Sequence, residues 1–289
     1  MICRLCPRNC GAARTAHGGN GFCAMPAGLR VSRAALHHWE EPPISGTNGS
    51  GAVFFAGCTL RCTYCQNHTI SADGFGKDVT PQRLRAIFEE LIAQGAHNID
   101  LITPTHFLPW ILPALEPKLP VPLVYNCGGY EKAETLRSLE GLVDIWLPDL
   151  KYADGTLASQ LSAAPDYFPV ATAAIQEMFR QTGPYVMENG LLRRGVIIRH
   201  LVLPGYLDNT RRVIDWVAET FRPGDVLFSL MSQYTPQPGA QGRLARRLTR
   251  AEYRAALDYM HNCGITDGFT QERTAAREEY TPPFDLTGV

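Results

Sequence analysis

Six short, nearly continuous apolar runs, each followed by helical sequence, constrain this chain more than anything else in it. They are Ala52–Ala56, Asn98–Thr103, Pro122–Asn126, Val143–Leu147, Gly195–Leu203 and Asp225–Leu230. A strand covered on both faces has no polar side, so runs of this kind predict a parallel sheet with helices packed against it. Strands alternating with helices make repeated βαβ units. Six such units are too few for a closed eightfold barrel but enough for an open one, and active residues of such folds sit at the C-terminal ends of the strands. The predicted class is therefore α/β, a partial (β/α)6 barrel.

Between the strands the helix signals are specific. Thr80 reads as an N-cap, Pro81 as the first helical residue and Gly95 as a stop. Leu84, Ile87, Phe88, Leu91 and Ile92 recur at helical spacing and predict one buried stripe. Asp208–Phe221 carries Val213, Trp216, Val217 and Phe221 on one face, and Thr249–Cys263 is closed by Gly264. Residues 1–50 contain Gly and Pro throughout and no long helical period, so they read as a small cysteine-pinned lobe. The expected division is a Cys-rich lobe over 1–50, the barrel over 51–235 and a helical extension over 236–289 packing on the barrel.

Charge and composition exclude some partners. Of 289 residues 45% are hydrophobic and 19% charged, with net charge −1, which suits a soluble protein with a sizeable core. Lys and Arg are scattered, so neither a nucleic-acid backbone nor an anionic membrane has a matching basic patch. No run approaches the ~18 apolar residues of a membrane span, and Met-Ile-Cys-Arg-Leu-Cys does not read as a signal peptide. The expected location is the cytoplasm. A reducing compartment disfavours structural disulfides, yet the chain has nine cysteines, seven of them in two tight groups before residue 66. Such grouping points to metal.

The first group, Cys3, Cys6, Cys10 and Cys23, has C-x2-C-x3-C-x12-C spacing. Four thiolates can saturate zinc or hold a complete iron–sulfur cluster, and either would help fold a lobe with little core. Reduced cysteine without metal is the plainer alternative. The second group, Cys58, Cys62 and Cys65, has C-x3-C-x2-C spacing in the loop after the first predicted strand. Three thiolates can hold three corners of a [4Fe–4S] cubane and leave one iron open to a small molecule. The competing readings are a zinc site completed by His68, or three core cysteines. Cys127 and Cys263 read as buried apolar residues.

The segment Gly57-Cys58-Thr-Leu-Arg-Cys62-Thr-Tyr64-Cys65-Gln-Asn resembles the radical S-adenosylmethionine (SAM) superfamily, and its Cys-Gln-Asn resembles the glycyl-radical-activating branch. Tyr125-Asn-Cys-Gly-Gly-Tyr is similar to that branch's third-strand motif, Asp144-Ile-Trp-Leu-Pro-Asp-Leu-Lys to its fourth, and Ile198-Arg-His-Leu-Val-Leu-Pro-Gly to its fifth. Over its length the chain looks like the pyruvate formate-lyase-activating-enzyme-like group, whose members also carry an N-terminal Cys-rich lobe. The resemblance implies an oxidoreductase that uses a [4Fe–4S] cluster to cleave SAM reductively and abstracts hydrogen through a 5′-deoxyadenosyl radical. It further implies that Tyr64 lies near the adenine, that Asp149 and Lys151 contact the ribose and methionine portions, and that Arg199 forks the methionyl carboxylate. Asn126 and Asp149 would contribute to a monovalent cation site, and Tyr234 would take the last rim position. Without that frame, Asp149 and Lys151 read as an ordinary exposed ion pair.

One motif of the superfamily is missing. Where Gly-Gly-Glu is expected after the second strand, the chain has Leu101-Ile-Thr-Pro-Thr-His-Phe. Thr103, Thr105 and His106 are the candidates for the methionyl amino contact, although His106 could instead cap the next helix. The leading substrate is a glycine Cα–H on a glycyl radical enzyme, with a different peptide or a small molecule as the other enzymatic reading. A non-catalytic metal-binding or interaction protein is the reading from another class. The implied electron donor is a flavodoxin or ferredoxin.

Overall fold

The computed structural model describes residues 2–271 and 282–289. Its strands are β1 (Arg14–Thr15), β2 (Gly18–Gly19), β3 (Leu29–His37), β4 (Ser50–Phe55), β5 (Lys77–Val79), β6 (Ile99–Ile102), β7 (Leu123–Cys127), β8 (Ile145–Pro148), β9 (Val186–Glu188), β10 (Leu191–Leu201), β11 (Leu227–Met231) and β12 (Gly268–Thr270). The helices are α1 (Pro42–Ser45), α2 (His68–Ser71), α3 (Pro81–Ala93), α4 (Leu108–Ile111), α5 (Ala133–Arg137), α6 (Gly155–Ser162), α7 (Tyr167–Thr182), α8 (Leu207–Thr220) and α9 (Arg250–Asn262). All six predicted strands are present as β4, β6, β7, β8, β10 and β11. They pair side by side in that order, all parallel. Adding each strand beside the last curls the sheet into an open barrel with edges at β5 and β12. No described helix is long and apolar enough to cross a membrane.

The helix signals act locally as expected. Arg83 N–H donates to Thr80 Oγ1 at 3.1 Å, and Leu84, Ile87, Phe88 and Leu91 are the buried stripe of α3. Thr249 and Glu252 close a reciprocal capping box on α9. The sheet reaches into the segment read as lobe, because β3 pairs antiparallel with β4 and β5. The last residues also run along β3, where Ala34 N–H donates to Thr287 O at 2.8 Å. Of the predicted C-terminal extension, α9 packs on α8, while 272–281 lies outside the described residues.

Strand alternation sorts the sheet into two faces. Val53, Phe55, Leu101, Tyr125, Trp146, Ile198 and Phe228 join the core shared with the helices. The other face lines the barrel interior. There Val124, Ile145, Leu147, Ile197 and Leu227 close around Ile44 of α1, which plugs the interior. Two residues beyond these plug contacts, the same face presents Asn126, Asp149, Arg199 and Ser229, with Asp100 from β6. The apolar layer below therefore positions a polar layer above it.

His200 faces the helices and is fully buried, with Nδ1 2.6 Å from Leu150 O and Nε2 3.0 Å from Thr210 Oγ1. Burial pushes it down from 6.5 to about 4. The unfolded chain takes up this proton first as pH falls, so stability present above pH 6.5 is lost down to about pH 4. Between pH 7 and pH 5 the loss is about 2 kcal/mol from this group. Urea unfolding of metal-free His200→Gln should show that much less pH dependence, while His106, also pushed down to about 4, keeps its share.

Candidate active site

Cys58, Cys62 and Cys65 lie in the loop directly after β4, beside the polar layer. None is in a disulfide. Each sulfur receives a hydrogen bond: Cys58 from Leu60 N–H at 3.3 Å, Cys62 from Ser162 Oγ at 2.9 Å and Cys65 from Ser71 Oγ at 3.3 Å. Donors of this kind stabilise thiolate once a metal has displaced its proton. In the protein alone, burial pushes the Cys58 thiol up to about 12. His68 does not join them; it is half-exposed and 3.3 Å from Asp73. Among the described residues no three His, Cys, Asp or Glu side chains converge where one ion could sit. The zinc reading of this loop therefore loses His68 as its fourth ligand. Three hydrogen-bonded thiols can supply three corners of a cubane.

The polar layer is organised by Arg199. Its Nε donates to Asp149 at 2.9 Å, Nη1 to Glu40 at 2.9 Å and Nη2 to Asn126 at 2.7 Å. Lys151 Nζ donates to the other oxygen of Asp149 at 2.5 Å. Burial pushes Asp149 up, but Arg199 and Lys151 outweigh it and hold the carboxyl below its ordinary value. Burial and the nearby Glu40 drive Asp100 the opposite way, well above its ordinary value. Asp100 accepts from Asn126 Nδ2 at 3.3 Å through one oxygen and has no partner for the other. Gly129 makes the register possible. At φ +78° its backbone comes so near Asp149 O that a Cβ would stand 2.1 Å away. Tyr167 OH, 2.8 Å from both Gly128 O and Asp149 O, ties the ends of β7 and β8 together.

Several sequence expectations change here. Asp149 and Lys151 are paired as foreseen, yet the pair is largely buried, with side chains 15% and 20% exposed. Each nitrogen of Arg199 already donates once, to Asp149, Glu40 and Asn126, which leaves one N–H on each Nη for another acceptor. Two protein cations, Lys151 and Arg199, stand beside Asp149. Thr105 and His106 are on the opposite side of the sheet. Thr103 has φ +60°, and beyond it Thr105 Oγ1 donates to Glu131 at 2.8 Å and accepts from Tyr125 OH at 3.0 Å. His106 Nε2 lies 2.7 Å from Ala56 O. Neither reaches the polar layer; Thr103 alone stays at the strand end, bonding Asn126 O through its N–H at 2.8 Å.

Tyr64 is buried against Tyr152 and Tyr234, with ring centroids at 6.4 and 6.3 Å. Tyr152 OH donates to Tyr64 OH at 2.8 Å and meets Ser162 Oγ at 2.7 Å, so a hydrogen-bonded chain runs from Tyr64 to Cys62. Tyr234 OH is taken by Leu244 O at 2.7 Å. Sequence reasoning missed Glu40, Asp100, Tyr152 and Ser162. Tyr152 follows the Asp-Leu-Lys motif directly and was findable; the others carry no local signal. Cys127 is buried as expected, whereas Cys263 is only half-buried.

Cys3, Cys6, Cys10 and Cys23 line one recess, together with Arg8, Arg14 and His106. Burial pushes Cys6 up to about 12 and raises Cys23.

A family model described as a 4Fe-4S single cluster domain matches residues 44–103. An uncharacterized protein of Methanocaldococcus jannaschii is 28% identical over 271 residues, covering 89% of this chain and 73% of that protein. Among solved structures, SuiB of Streptococcus suis superposes with a TM-score of 0.52 at 13% identity, over 77% of this chain and 48% of SuiB. The chain thus spans about half of SuiB's length. SuiB bound to S-adenosylmethionine gives 0.52 at 14% identity over 75% of this chain and 48% of that one. SuiB bound to precursor peptide SuiA gives 0.52 at 14% identity, over 75% of this chain and 47% of that one. At such identities the likeness is one of fold. The chain therefore shares its α/β partial-barrel fold with SuiB, and its first barrel strand and cysteine loop fall within a 4Fe-4S single cluster segment.

Proposed function

We propose that this protein is a cytoplasmic radical SAM enzyme whose [4Fe–4S] cluster is held by Cys58, Cys62 and Cys65. The observation that carries this reading is the loop itself, three hydrogen-bonded thiols beside a charged barrel interior. When bound, the cluster supplies one electron for reductive cleavage of SAM, and hydrogen abstraction from the substrate follows.

The chain's own residues bind and orient. Lys151 and Asp149 offer one charge of each sign to a zwitterionic methionine portion, and Asn126 offers an amide beside them. Arg199 holds Asp149 ionised and in place. Tyr64, fixed by Tyr152 and Tyr234, presents an aromatic wall of the kind an adenine stacks on. The buried sheet and the Ile44 plug exclude water from below. Thr103 remains the candidate for the amino contact.

The substrate reading is a peptide or protein. The motif resemblance to glycyl radical activases supports a glycine Cα–H on a partner enzyme, and the fold shared with SuiB, solved with its precursor peptide, supports a peptide more broadly. The electron enters from a flavodoxin or ferredoxin. The N-terminal cysteines hold a second metal.

The test is spectroscopic. Dithionite-reduced, anaerobically reconstituted protein should show an EPR signal whose g-values shift when SAM is added, because one iron is open to it. A reduced-cluster signal that SAM leaves unchanged would refute the reading.

A further inference from the structure

Cys62 differs from the other two loop cysteines in what stands behind its hydrogen bond. Cys58 accepts from the Leu60 N–H two residues on, and Cys65 from the Ser71 hydroxyl six residues on. The donor to Cys62 is Ser162, the last residue of α6, 100 residues away. Its oxygen meets Tyr152 OH at 2.7 Å, and Tyr152 OH meets Tyr64 OH at 2.8 Å. None of the four residues is more than 8% exposed. Two further bonds seat the end of α6 against the loop: Thr63 N–H donates to Leu161 O at 2.9 Å, and Arg8 Nη2 to Ser162 O at 2.6 Å.

Burial pushes both phenols well above their ordinary value, so each keeps its one hydrogen. Counting hydrogens then fixes the direction of the chain. A metal-bound sulfur can only accept, so Ser162 donates to it. Ser162 has thereby spent its hydrogen and accepts from Tyr152, which in turn accepts from Tyr64. This reverses the donation from Tyr152 to Tyr64 found in the metal-free chain. All three hydroxyls now point toward the sulfur, and hydrogen bonds aligned in this way polarise one another.

Reduction adds a negative charge that the cluster's sulfurs share, so a donor aimed at one of them favours the reduced form. We propose that Ser162, Tyr152 and Tyr64 form a hydroxyl relay that raises the reduction potential of the loop cluster through the Cys62 sulfur. Ser162 and Tyr152 are positioning residues for electron entry, and Tyr64 serves the cluster as well as the proposed adenine wall. The inference rests on the reading of Cys58, Cys62 and Cys65 as cluster ligands and names what tunes that cluster.

The test is an EPR-monitored redox titration of the reconstituted full chain without SAM, followed on the signal that SAM perturbs. Ser162→Ala should make one-electron reduction about tenfold less favourable, a fall of ~59 mV in midpoint. Tyr152→Phe and Tyr64→Phe keep their rings and should each lower the midpoint by part of that. Ser162→Thr, which keeps the hydroxyl, should return the parent value. Tyr152→Phe should add nothing to Ser162→Ala, because the relay is already cut. It should add in full to Ser71→Ala, whose bond to Cys65 lies outside the relay. Should Ser162→Ala fail to hold iron, the midpoints of Tyr152→Phe and Tyr64→Phe decide. Midpoints that these two phenylalanine variants leave unchanged, in a parent whose signal responds to SAM, would overturn the relay and leave the cluster reading standing. A parent with no SAM-responsive signal would overturn both.

Discussion

Arg199→Ala is expected to destabilise the protein by about 3–5 kcal/mol, the range for breaking a buried ion pair by deleting one partner. The side chain is 13% exposed and spans three elements, reaching Glu40 before α1, Asn126 on β7 and Asp149 beyond β8. Its loss leaves Glu40 and Asp149, both largely buried, without their shared cation, and Glu41 and Asp100 without a nearby one. Asp149 should then rise toward the ordinary carboxylate range or above it, and the interior should loosen around Glu40. Arg199→Lys should recover part of the loss, since a charge remains but the three-way fork does not. Chemical denaturation of the metal-free chains checks this. A change below about 1 kcal/mol for Arg199→Ala would mean that the guanidinium is not the organiser of the polar layer.

Cys62→Ala is expected to abolish SAM cleavage. Cys62 is the most buried of the three loop thiols and is joined through Ser162 and Tyr152 to Tyr64, so it links the cluster ligands to the proposed adenine wall. Two remaining thiols cannot hold a stable cubane, and iron content should fall by ~4 per chain. The metal-free fold should survive, because Ser162 keeps its bond to Tyr152 and only one thiol acceptor is lost, a change of about 1 kcal/mol. Iron analysis and unfolding midpoint together separate loss of the cluster from loss of the fold.

The barrel was legible because strands buried on both faces leave continuous apolar runs, and all six appear where those runs stand. β3 was not, because Arg30, Ser32 and Arg33 interrupt it and its antiparallel place depends on β4, β5 and the far C-terminal end. The loop cysteines stood out by their spacing, and their reading as cluster ligands came from the resemblance of the segment around them. Asp149 and Lys151 were legible as neighbours along one strand end. Glu40 was not, because its meaning comes only from Arg199, 159 residues away. Nor was the four-residue α1, whose Ile44 plugs the barrel without any periodic pattern to announce it. Thr105 and His106 were misplaced for a backbone reason. The left-handed turn at Thr103 ends the strand's alternation, so the residues beyond it pass to the helix side, where Glu131 and Ala56 take them up.

The central claim is that the Cys58, Cys62 and Cys65 cluster cleaves SAM, and formation of 5′-deoxyadenosine tests it most directly. Reconstituted protein incubated anaerobically with SAM and dithionite should release 5′-deoxyadenosine and methionine, only with reductant present and not at all with Cys62→Ala. Fully loaded protein that yields no 5′-deoxyadenosine, or equal yield from Cys62→Ala, would contradict it.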